Sequence, residues 1–272
     1  MTLIAQITDL HIRPNGLACR RVSETNMLAE RAVRVLNALD PQPDAIVITG
    51  DIADGGDERE YATARALLSR LRVPVYMMPG NHDLTGRMRA GLSGFPGIEG
   101  GTPGKMHYTA DIGALRLIAL DSSVPGGAHG ELGEEQLAWL DRNLGETGRP
   151  TVVALHHPPA ILGIRHMDAI ALIDREAFTA VISKHPHVER VICGHVHRSI
   201  VTRFAGTVMA LAPSTAHQVV LDLHEDAPPA FVMEPPAFFL HHFTKDSGLV
   251  THLAYVESYP GPFPFIFDEG VA

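Results

Sequence analysis

The chain has 272 residues, of which 45% are hydrophobic and 19% charged, and it carries a net charge of -9. This length suits one large domain, or one domain with a smaller appendage, and the composition is ordinary for a globular protein. The acidic balance argues against a nucleic-acid polymer or an anionic membrane surface as partner. No basic leader and no run of about 18 apolar residues occurs, so we expect a cytoplasmic protein without a membrane span.

Apolar runs that predict buried strands recur along the chain, and segments of helical periodicity lie between several of them. The predicted strands cover residues 2–8, 45–50, 73–80, 115–121, 151–157 and 190–195, and the predicted helices cover 23–39, 57–71, 133–144 and 174–185. The second helix opens with Asp57 and Glu60 in capping-box spacing. Strand alternating with helix predicts an α/β fold in which helices cover the sheet faces.

The composition and strand pattern of the sequence change after about residue 205, where prolines come in pairs and the predicted strands shorten. We therefore expect a main domain over residues 1–205. Residues 206–272 should form a C-terminal part that completes the sheet and supplies a small cap or oligomerisation segment. The Gly- and Pro-rich segment 86–104 is typical of a long loop excursion rather than a linker between domains.

Polar side chains follow five of the predicted strands, at the point where each strand ends. In chain order they are Asp9 and His11, Asp51, Asn81 and His82, His156 and His157, and His195 and His197. Each motif alone is a weak signal, because Asp, Asn and Gly are also ordinary turn residues. Ligands bind at the carboxyl ends of strands in α/β sheets, so five such ends together predict a site at one edge.

The mixture of donor atoms at these strand ends indicates metal chemistry. Carboxylate and amide oxygens combined with imidazole nitrogens suit Fe, Mn, Zn or Co, whereas an all-oxygen set would suit Mg or Ca. The set is too large for one tetrahedral zinc ion but suits two divalent metal ions that share a bridging ligand. Histidine is also unusually frequent, with 16 in the chain, and neither Cys19 nor Cys193 belongs to the set.

The order D-x-H, G-D-x-x-D, G-N-H-D, H-H and G-H-x-H resembles the calcineurin-like metallophosphoesterase superfamily. The closer resemblance is to its class III phosphodiesterases, which hydrolyse cyclic nucleotides and glycerophosphodiesters. It is dense from residue 1 to about 217 and thinner beyond. It implies an α/β fold, specifically a four-layer α/β/β/α sandwich, with residues 1–205 as the catalytic domain and a dinuclear metal centre.

The resemblance also implies a role for each site residue. Metal ligands would be Asp9, His11 and His197 at one ion, and Asn81, His156 and His195 at the other, with Asp51 bridging both. A hydroxide shared by the two ions would attack the phosphodiester in line. His82 would stabilise the transition state or protonate the leaving group, Asp83 would orient His82 through a hydrogen bond, and His217 would contact the phosphate. For Asp54 we expect only a structural role, as a cap of its loop.

The leading functional hypothesis is a metal-dependent phosphoric diester hydrolase that acts on small phosphodiesters such as cyclic AMP or glycerophosphodiesters. A phosphomonoesterase of the same superfamily is the nearer alternative, but Gly55 stands where the protein phosphatases carry a phosphate-gripping arginine. A non-catalytic scaffold is the other alternative, although scaffolds of this fold lose metal ligands that are all present here.

Several properties stay open at the level of sequence: the physiological diester, the native metals and the oligomeric state. The apolar, Pro-rich tail favours a homo-oligomer, a dimer or a hexamer, because "FPFIF" would be easiest to bury in an interface. His241, His242 and His252 match no ligand spacing, so we expect them on solvated faces or at an interface.

Overall fold

The computed structural model of the chain describes residues 1–263, which form two β-sheets and the helices that cover them. In chain order the elements are β1 (Thr2–Ile7), α1 (Thr25–Ala38), β2 (Ala45–Thr49), α2 (Glu58–Leu68), β3 (Val75–Met78), α3 (Thr85–Gly91), β4 (Tyr108–Ile112), β5 (Leu115–Ala119), α4 (Gly133–Gly145), β6 (Thr151–Ala154), α5 (Arg165–Asp168), α6 (Arg175–Ile182), β7 (Val188–Cys193), β8 (Ile200–Phe204), β9 (Thr207–Leu211), β10 (Gln218–Val219), β11 (Phe231–Val232), β12 (Ala237–Thr244) and β13 (Gly248–Tyr255).

The two main sheets differ in how the chain builds them. The first has the order β13-β12-β1-β2-β3, with β1, β2 and β3 parallel and β12 antiparallel to β1. The second has the order β4-β5-β6-β7-β9-β8, and its central strands β5, β6 and β7 are parallel. A short ribbon pairs β10 with β11. Five of these six parallel strands, all except β5, are followed by the polar motifs.

Alternate residues of the second sheet face two different hydrophobic cores. Val152 and Ala154 of β6 pack with residues of the first sheet, whereas Val153 packs with Leu140 of α4 and Phe178 of α6. This alternation follows from the pleat, which points successive side chains to opposite faces. Helices α1 and α2 cover the outer face of the first sheet. The layers are thus α/β/β/α, which confirms the predicted fold class.

The predicted helices exist, and their ends have local causes. Asp57 caps α2, accepting a hydrogen bond from the backbone of Arg59, and Glu60 completes the predicted capping box. In α1 the apolar positions Leu28 and Leu36 face the core. The predicted strands exist as well, but most of them end one to three residues earlier than the apolar runs suggest, because the polar residues that follow turn away from the ladder.

The C-terminal part contributes strands to both sheets, since β9 belongs to the second and β12 and β13 to the first. The division of the chain at residue 205 and the separate cap stay predictions. Most of the "FPFIF" segment lies outside the described residues, which end at Phe263. Within residues 1–263, no helix is both long and apolar enough to cross a bilayer.

The position of His241 differs from the solvated or interface position expected from the sequence. His241 lies on β12 with only 1% of its surface exposed, rather than on a solvated face. Its ring nitrogens lie 2.9 Å from Gln6 Oε1 and 2.9 Å from Thr251 Oγ1. Both nitrogens are therefore used within the fold, and His241 links β12 to both of its neighbouring strands, β1 and β13, through side-chain hydrogen bonds.

Candidate metal centre

The loops after β1, β2, β3, β6 and β7 bring the seven predicted metal ligands together at one edge of the two sheets. Six of these seven side chains are buried, and Asn81 is partly buried. They are Asp9, His11, Asp51, Asn81, His156, His195 and His197. The placement follows from the topology, because parallel strands deliver their carboxyl ends to the same side.

Most of these residues hold a backbone conformation that L-amino acids rarely adopt. Positive φ angles of 47° to 70° occur at five of them, which are Asp9, His11, Asp51, His195 and His197. Such strain costs about 1–3 kcal/mol per residue and persists where the surrounding structure enforces it. The neighbouring glycines permit the close approach, since a Cβ atom on Gly80 would lie 2.2 Å from Asp51 Oδ1 and one on Gly50 would lie 2.4 Å from His156 Nδ1.

Two groups of donor atoms converge within the site. In the first, His197 Nε2 lies 3.1 Å from His11 Nε2 and 3.2 Å from Asp9 Oδ1. In the second, Asn81 Oδ1 lies 3.2 Å from His156 Nε2 and 2.9 Å from His195 Nδ1.

Asp51 stands between the two groups. Its Oδ2 atom is 3.7 Å from His11 Nε2 and 3.4 Å from His156 Nε2. One carboxylate therefore faces both clusters of imidazole nitrogens, which is the position a bridging ligand would occupy.

The donor set fits metal ions better than it fits hydrogen bonding among its own members. Ligands at about 2.0–2.2 Å from a shared ion are themselves roughly 3–3.5 Å apart, as the donor atoms are here. Asp9 Oδ1 and His195 Nε2 are buried and make no hydrogen bond with residues 1–263. An unsatisfied buried polar atom is costly, so the cluster is suited to binding metal ions.

Charges within the site shift the ionisation of its members in opposite directions. Burial alone would raise the pKa of Asp9, but the His197 ring beside it outweighs burial and lowers that pKa to about 2. Burial alone would lower the pKa of His156, but Asp51 outweighs it and raises that pKa to about 9. Burial, assisted by the charge of His156, lowers the pKa of His195 to about 3. The carboxylates are thus ionised near neutral pH, as metal ligands must be.

Hydrogen bonds from the opposite ring nitrogen fix which imidazole atom faces the centre. His156 Nδ1 donates to Thr49 O at 2.7 Å, and His197 Nδ1 donates to His217 O at 2.7 Å. In each ring Nε2 therefore faces the cluster, which is how metal-ligating histidines are usually held.

Asp54 has a larger role than the loop cap that the sequence suggests. Its Oδ1 atom accepts a hydrogen bond from His11 Nδ1 at 3.1 Å and one from the buried thiol of Cys19 at 3.3 Å. Its Oδ2 atom pairs with Arg13 at 3.0 Å. Asp54 is the second aspartate of the G-D-x-x-D motif, and its place in that motif is the one sequence signal that could have pointed to this role.

The expected hydrogen bond between Asp83 and His82 is absent from the described structure, which corrects that prediction. The Asp83 carboxylate instead accepts hydrogen bonds at 3.0–3.1 Å from three backbone amides and from the Tyr61 hydroxyl. His82 Nδ1 donates to the carbonyl oxygen of Asp54 at 2.6 Å. Asp83 therefore braces the loops after β2 and β3, because its partners are buried main-chain groups of both.

A cavity of about 350 Å³ opens above the centre. His82, His217 and Arg20 line it together with candidate ligands, and so do Met167 and Phe231. The His217 ring lies 4.8 Å from that of His197 and 5.0 Å from that of Phe231, so it borders both the centre and the wall. The volume is within the range of small-molecule sites.

His157 follows His156 directly and lies close enough to His156 and His195 to form a potential metal group with them, but its ring nitrogens have other partners. Its Nδ1 atom lies 2.8 Å from Ser122 Oγ, and its Nε2 atom lies 3.2 Å from the carbonyl oxygen of Ala128. Both ring nitrogens are used, so His157 supports the turn after β6.

Comparison with known sequences gives one family and consistent relatives. The calcineurin-like phosphoesterase family matches residues 2–199. A probable glycerophosphodiester phosphodiesterase GpdQ of Arcobacter nitrofigilis is 35% identical over 270 residues, which cover 98% of this chain and 98% of that protein. A probable cyclic nucleotide phosphodiesterase of a Synechococcus species is 37% identical over 220 residues, which cover 80% of this chain and 82% of that protein.

Comparison with solved structures supports the fold. A dimetal phosphatase from Danio rerio superposes with a TM-score of 0.67 at 18% identity, and the match covers 94% of this chain and 99% of that one. At this identity the similarity concerns the fold, and it agrees with the four layers described above.

Proposed function

The chain belongs to the calcineurin-like phosphoesterase family, and from this we propose that it is a phosphodiesterase that uses two divalent metal ions to hydrolyse small phosphodiesters. Relatives named as glycerophosphodiester and cyclic nucleotide phosphodiesterases support the reaction type, because they are at least 35% identical over most of the chain.

The position of Asp51 is the observation that carries the proposal of two ions. Its Oδ2 atom faces His11 Nε2 and His156 Nε2 from between the two donor groups. Asp9, His11 and His197 would hold one ion, and Asn81, His156 and His195 the other. When bound, the ions would neutralise charge on the phosphate and supply hydroxide near neutral pH. The mixed oxygen and nitrogen donors suit iron, manganese, zinc or cobalt.

The chain's own residues would act on the substrate from the cavity side. His82 is one-quarter exposed in the cavity, and its bond to the Asp54 carbonyl directs its other nitrogen outward. From there it would meet the phosphate or the departing alcohol oxygen, which supports a role in transition-state stabilisation or proton donation. His217 lines the same cavity, which supports a contact with the phosphate.

Two features favour a small diester over a monoester or a polymer. A monoester dianion needs more positive charge than a diester monoanion, and Gly55 stands where an arginine grips the dianion in protein phosphatases. The cavity of about 350 Å³ suits one small molecule, and the net charge of -9 disfavours a polyanion. The homo-oligomer and the cytoplasmic location stay predictions from the sequence.

Metal reconstitution tests the proposal. Metal-stripped protein would be reloaded separately with Mn, Fe, Zn or Co and assayed on a bis-aryl phosphodiester and on the matching monoester. We expect diester cleavage that depends on metal, disappears in Asp51→Ala and persists in Asp246→Asn, which changes an exposed turn carboxylate. Cleavage of the monoester alone would indicate a phosphatase. Bound metal without cleavage of either ester would indicate a scaffold.

A further inference from the structure

Arg20 is a cavity residue that the reaction outlined above does not use. It belongs to a tight hairpin in which Cys19 and Ser23 exchange backbone hydrogen bonds of 2.8 and 2.9 Å. The hairpin is fixed to the centre, because Cys19 Sγ donates to Asp54, the carboxylate that orients His11. Arg20 is exposed and lines the cavity, whereas its neighbour Arg21 is exposed without lining it.

The backbone of this hairpin shares an uncommon feature with the metal ligands. Eight residues other than glycine have a positive φ within residues 1–263, and five of them are the candidate ligands named above. Arg20 at 50° and Arg21 at 62° are two of the remaining three, and the third, Ala205, lies in the turn between β8 and β9. Backbone strain of this kind clusters at functional sites. Glycine or asparagine would suit such positions better, so their occupation by two arginines calls for a reason.

The charge of Arg20 has no counter-ion in the described part of the chain. Nine other arginines pair with a carboxylate within 4.0 Å, but none of the carboxylates in residues 1–263 pairs with Arg20. Other arginines, Arg21 among them, also lack such a partner within these residues, so what distinguishes Arg20 is its place in the cavity wall. Among the cavity-lining residues Asp51 is the one carboxylate, and it is engaged with the imidazoles of the centre.

Arg20 stands among largely uncharged neighbours in the cavity wall. Much of the remaining wall is apolar, formed by Met167, Ile170, Val219, Pro229, Ala230 and Phe231. Arg20 is thus the one arginine or lysine on the wall among the described residues, and it presents a planar fork of donors that matches carboxylate and phosphate groups.

We propose that Arg20 forms a subsite for a second anionic group on the substrate, a carboxylate or phosphate carried by one of the two alcohols of the phosphodiester. This inference rests on the proposed phosphodiesterase function, because the centre must hold the scissile phosphate while Arg20 binds the distal charge. The preferred substrates are then small diesters with a net charge beyond that of the scissile group.

Three synthetic diesters test the subsite with the same leaving group. They are the propyl, 2-carboxyethyl and 2-phosphonoethyl esters of 4-nitrophenyl phosphate, all of which release 4-nitrophenolate. For the metal-loaded protein we expect kcat/KM to be about tenfold higher for at least one charged ester than for the propyl ester, mainly through a lower KM. The better of the two charged esters identifies carboxylate or phosphate as the second anion.

Matched variants show which arginine causes the preference for the charged esters. Arg20→Gln should lose the preference for the charged esters through a higher KM, and Arg20→Lys should keep part of it because lysine retains the charge. Arg21→Gln is the control, since it removes the adjacent exposed charge from the same strained hairpin, and it should keep the preference.

Other outcomes would overturn the inference. An equal loss on all three esters in Arg20→Gln would place Arg20 at the scissile phosphate or in the fold. An equal loss of preference in Arg21→Gln would indicate general electrostatics. Cleavage of all esters without preference refutes the subsite and leaves the phosphodiesterase standing, whereas cleavage of none with metal bound refutes the phosphodiesterase itself.

Discussion

His11 Nδ1 lies 3.1 Å from Asp54 Oδ1, and this contact turns the other nitrogen of the ring, Nε2, toward His197 and Asp51. Asp54 thereby controls a candidate ligand without belonging to the donor set itself. It also accepts from Cys19 and pairs with Arg13, so one carboxylate joins the loops after β1 and β2.

We predict that Asp54→Ala lowers metal affinity by about 10- to 100-fold, the usual effect of removing a partner that orients a ligating histidine. Asp54→Asn should lose less, because the amide oxygen can still accept from His11. Metal affinity would be measured by competition with a chelator. Asp57→Ala is the control: it removes the cap of α2, costing about 1 kcal/mol of stability, but should leave metal affinity unchanged. Equal affinities in Asp54→Ala and the wild type would contradict the orienting role.

We predict that His82→Ala lowers kcat by about 10²- to 10⁴-fold while both metals stay bound, because general acid–base catalysis contributes that much. The ring reaches the cavity, and its hydrogen bond goes to the carbonyl oxygen of Asp54 rather than to a donor atom of the centre. Steady-state kinetics and metal analysis on the same samples would separate the two effects. His224→Ala, at an exposed position, is the control. A variant that loses metal together with activity would show that His82 supports the centre rather than the chemistry.

In contrast to His82→Ala, the Asp83→Asn variant should lose stability rather than kcat. The carboxylate accepts from three backbone amides and from Tyr61, and an asparagine would turn its own donor toward one of them. A buried donor left unsatisfied costs about 1–3 kcal/mol, so we predict a loss of that size in the free energy of unfolding. Below its melting range the variant should retain its kcat. A fall in kcat without a fall in stability would restore the idea that Asp83 orients His82.

The candidate site could be predicted from the sequence because each of its parts is local. Asp9, Asn81 and His195 each follow an apolar run directly, and the parallel topology then brings the strand ends together. The same reasoning cannot assign Asp54 or Asp83, since both are acidic residues in polar loops. Their roles depend on which donors the folded loops present, and those donors come from other segments of the chain.

The pairing of strands that lie far apart in the chain is the other feature of the fold that could not be predicted from the sequence. β12 is paired with β1 across more than 230 residues, and this contact buries His241 beside Gln6. A histidine in an alternating strand reads as a surface residue unless its partner strand is known. The positive φ angles of Arg20 and Arg21 could not be predicted from the sequence either, because the hairpin contains no glycine or asparagine.

We predict that Tyr108→Phe destabilises the protein by about 1–3 kcal/mol and leaves metal binding intact. The Tyr108 hydroxyl donates to Met77 O and accepts from Met77 N, each at 2.9 Å, at the edge strand β3. Removing it would leave a buried amide and a buried carbonyl without partners, a cost of that order. Urea unfolding would measure the change. Tyr76→Phe, on the same strand and less buried, should have a smaller effect. Equal stabilities of wild type and Tyr108→Phe would contradict the role.

We predict that metal binding displaces a proton from His156. Because Nδ1 donates to Thr49 O, the proton lost is on Nε2, 3.4 Å from Asp51. Burial alone would lower the pKa of His156, but Asp51 outweighs it and raises that pKa from 6.5 to about 9. The ring is therefore protonated in the metal-free protein at pH 7, and binding must release the proton.

Metal affinity should then rise by about tenfold per pH unit between pH 7 and 9, and level off above the pKa of His156. The sign for stability follows from the same shift. The raised pKa stabilises the metal-free fold fully below about pH 6.5, and this contribution is lost as pH rises through 9. Titration calorimetry in two buffers of different ionisation enthalpy would count the released proton, with His242→Gln on β12 as the control. Binding at pH 7 without proton release would show that the Asp51–His156 pair holds no proton, and the metals would then enter a site that is already deprotonated.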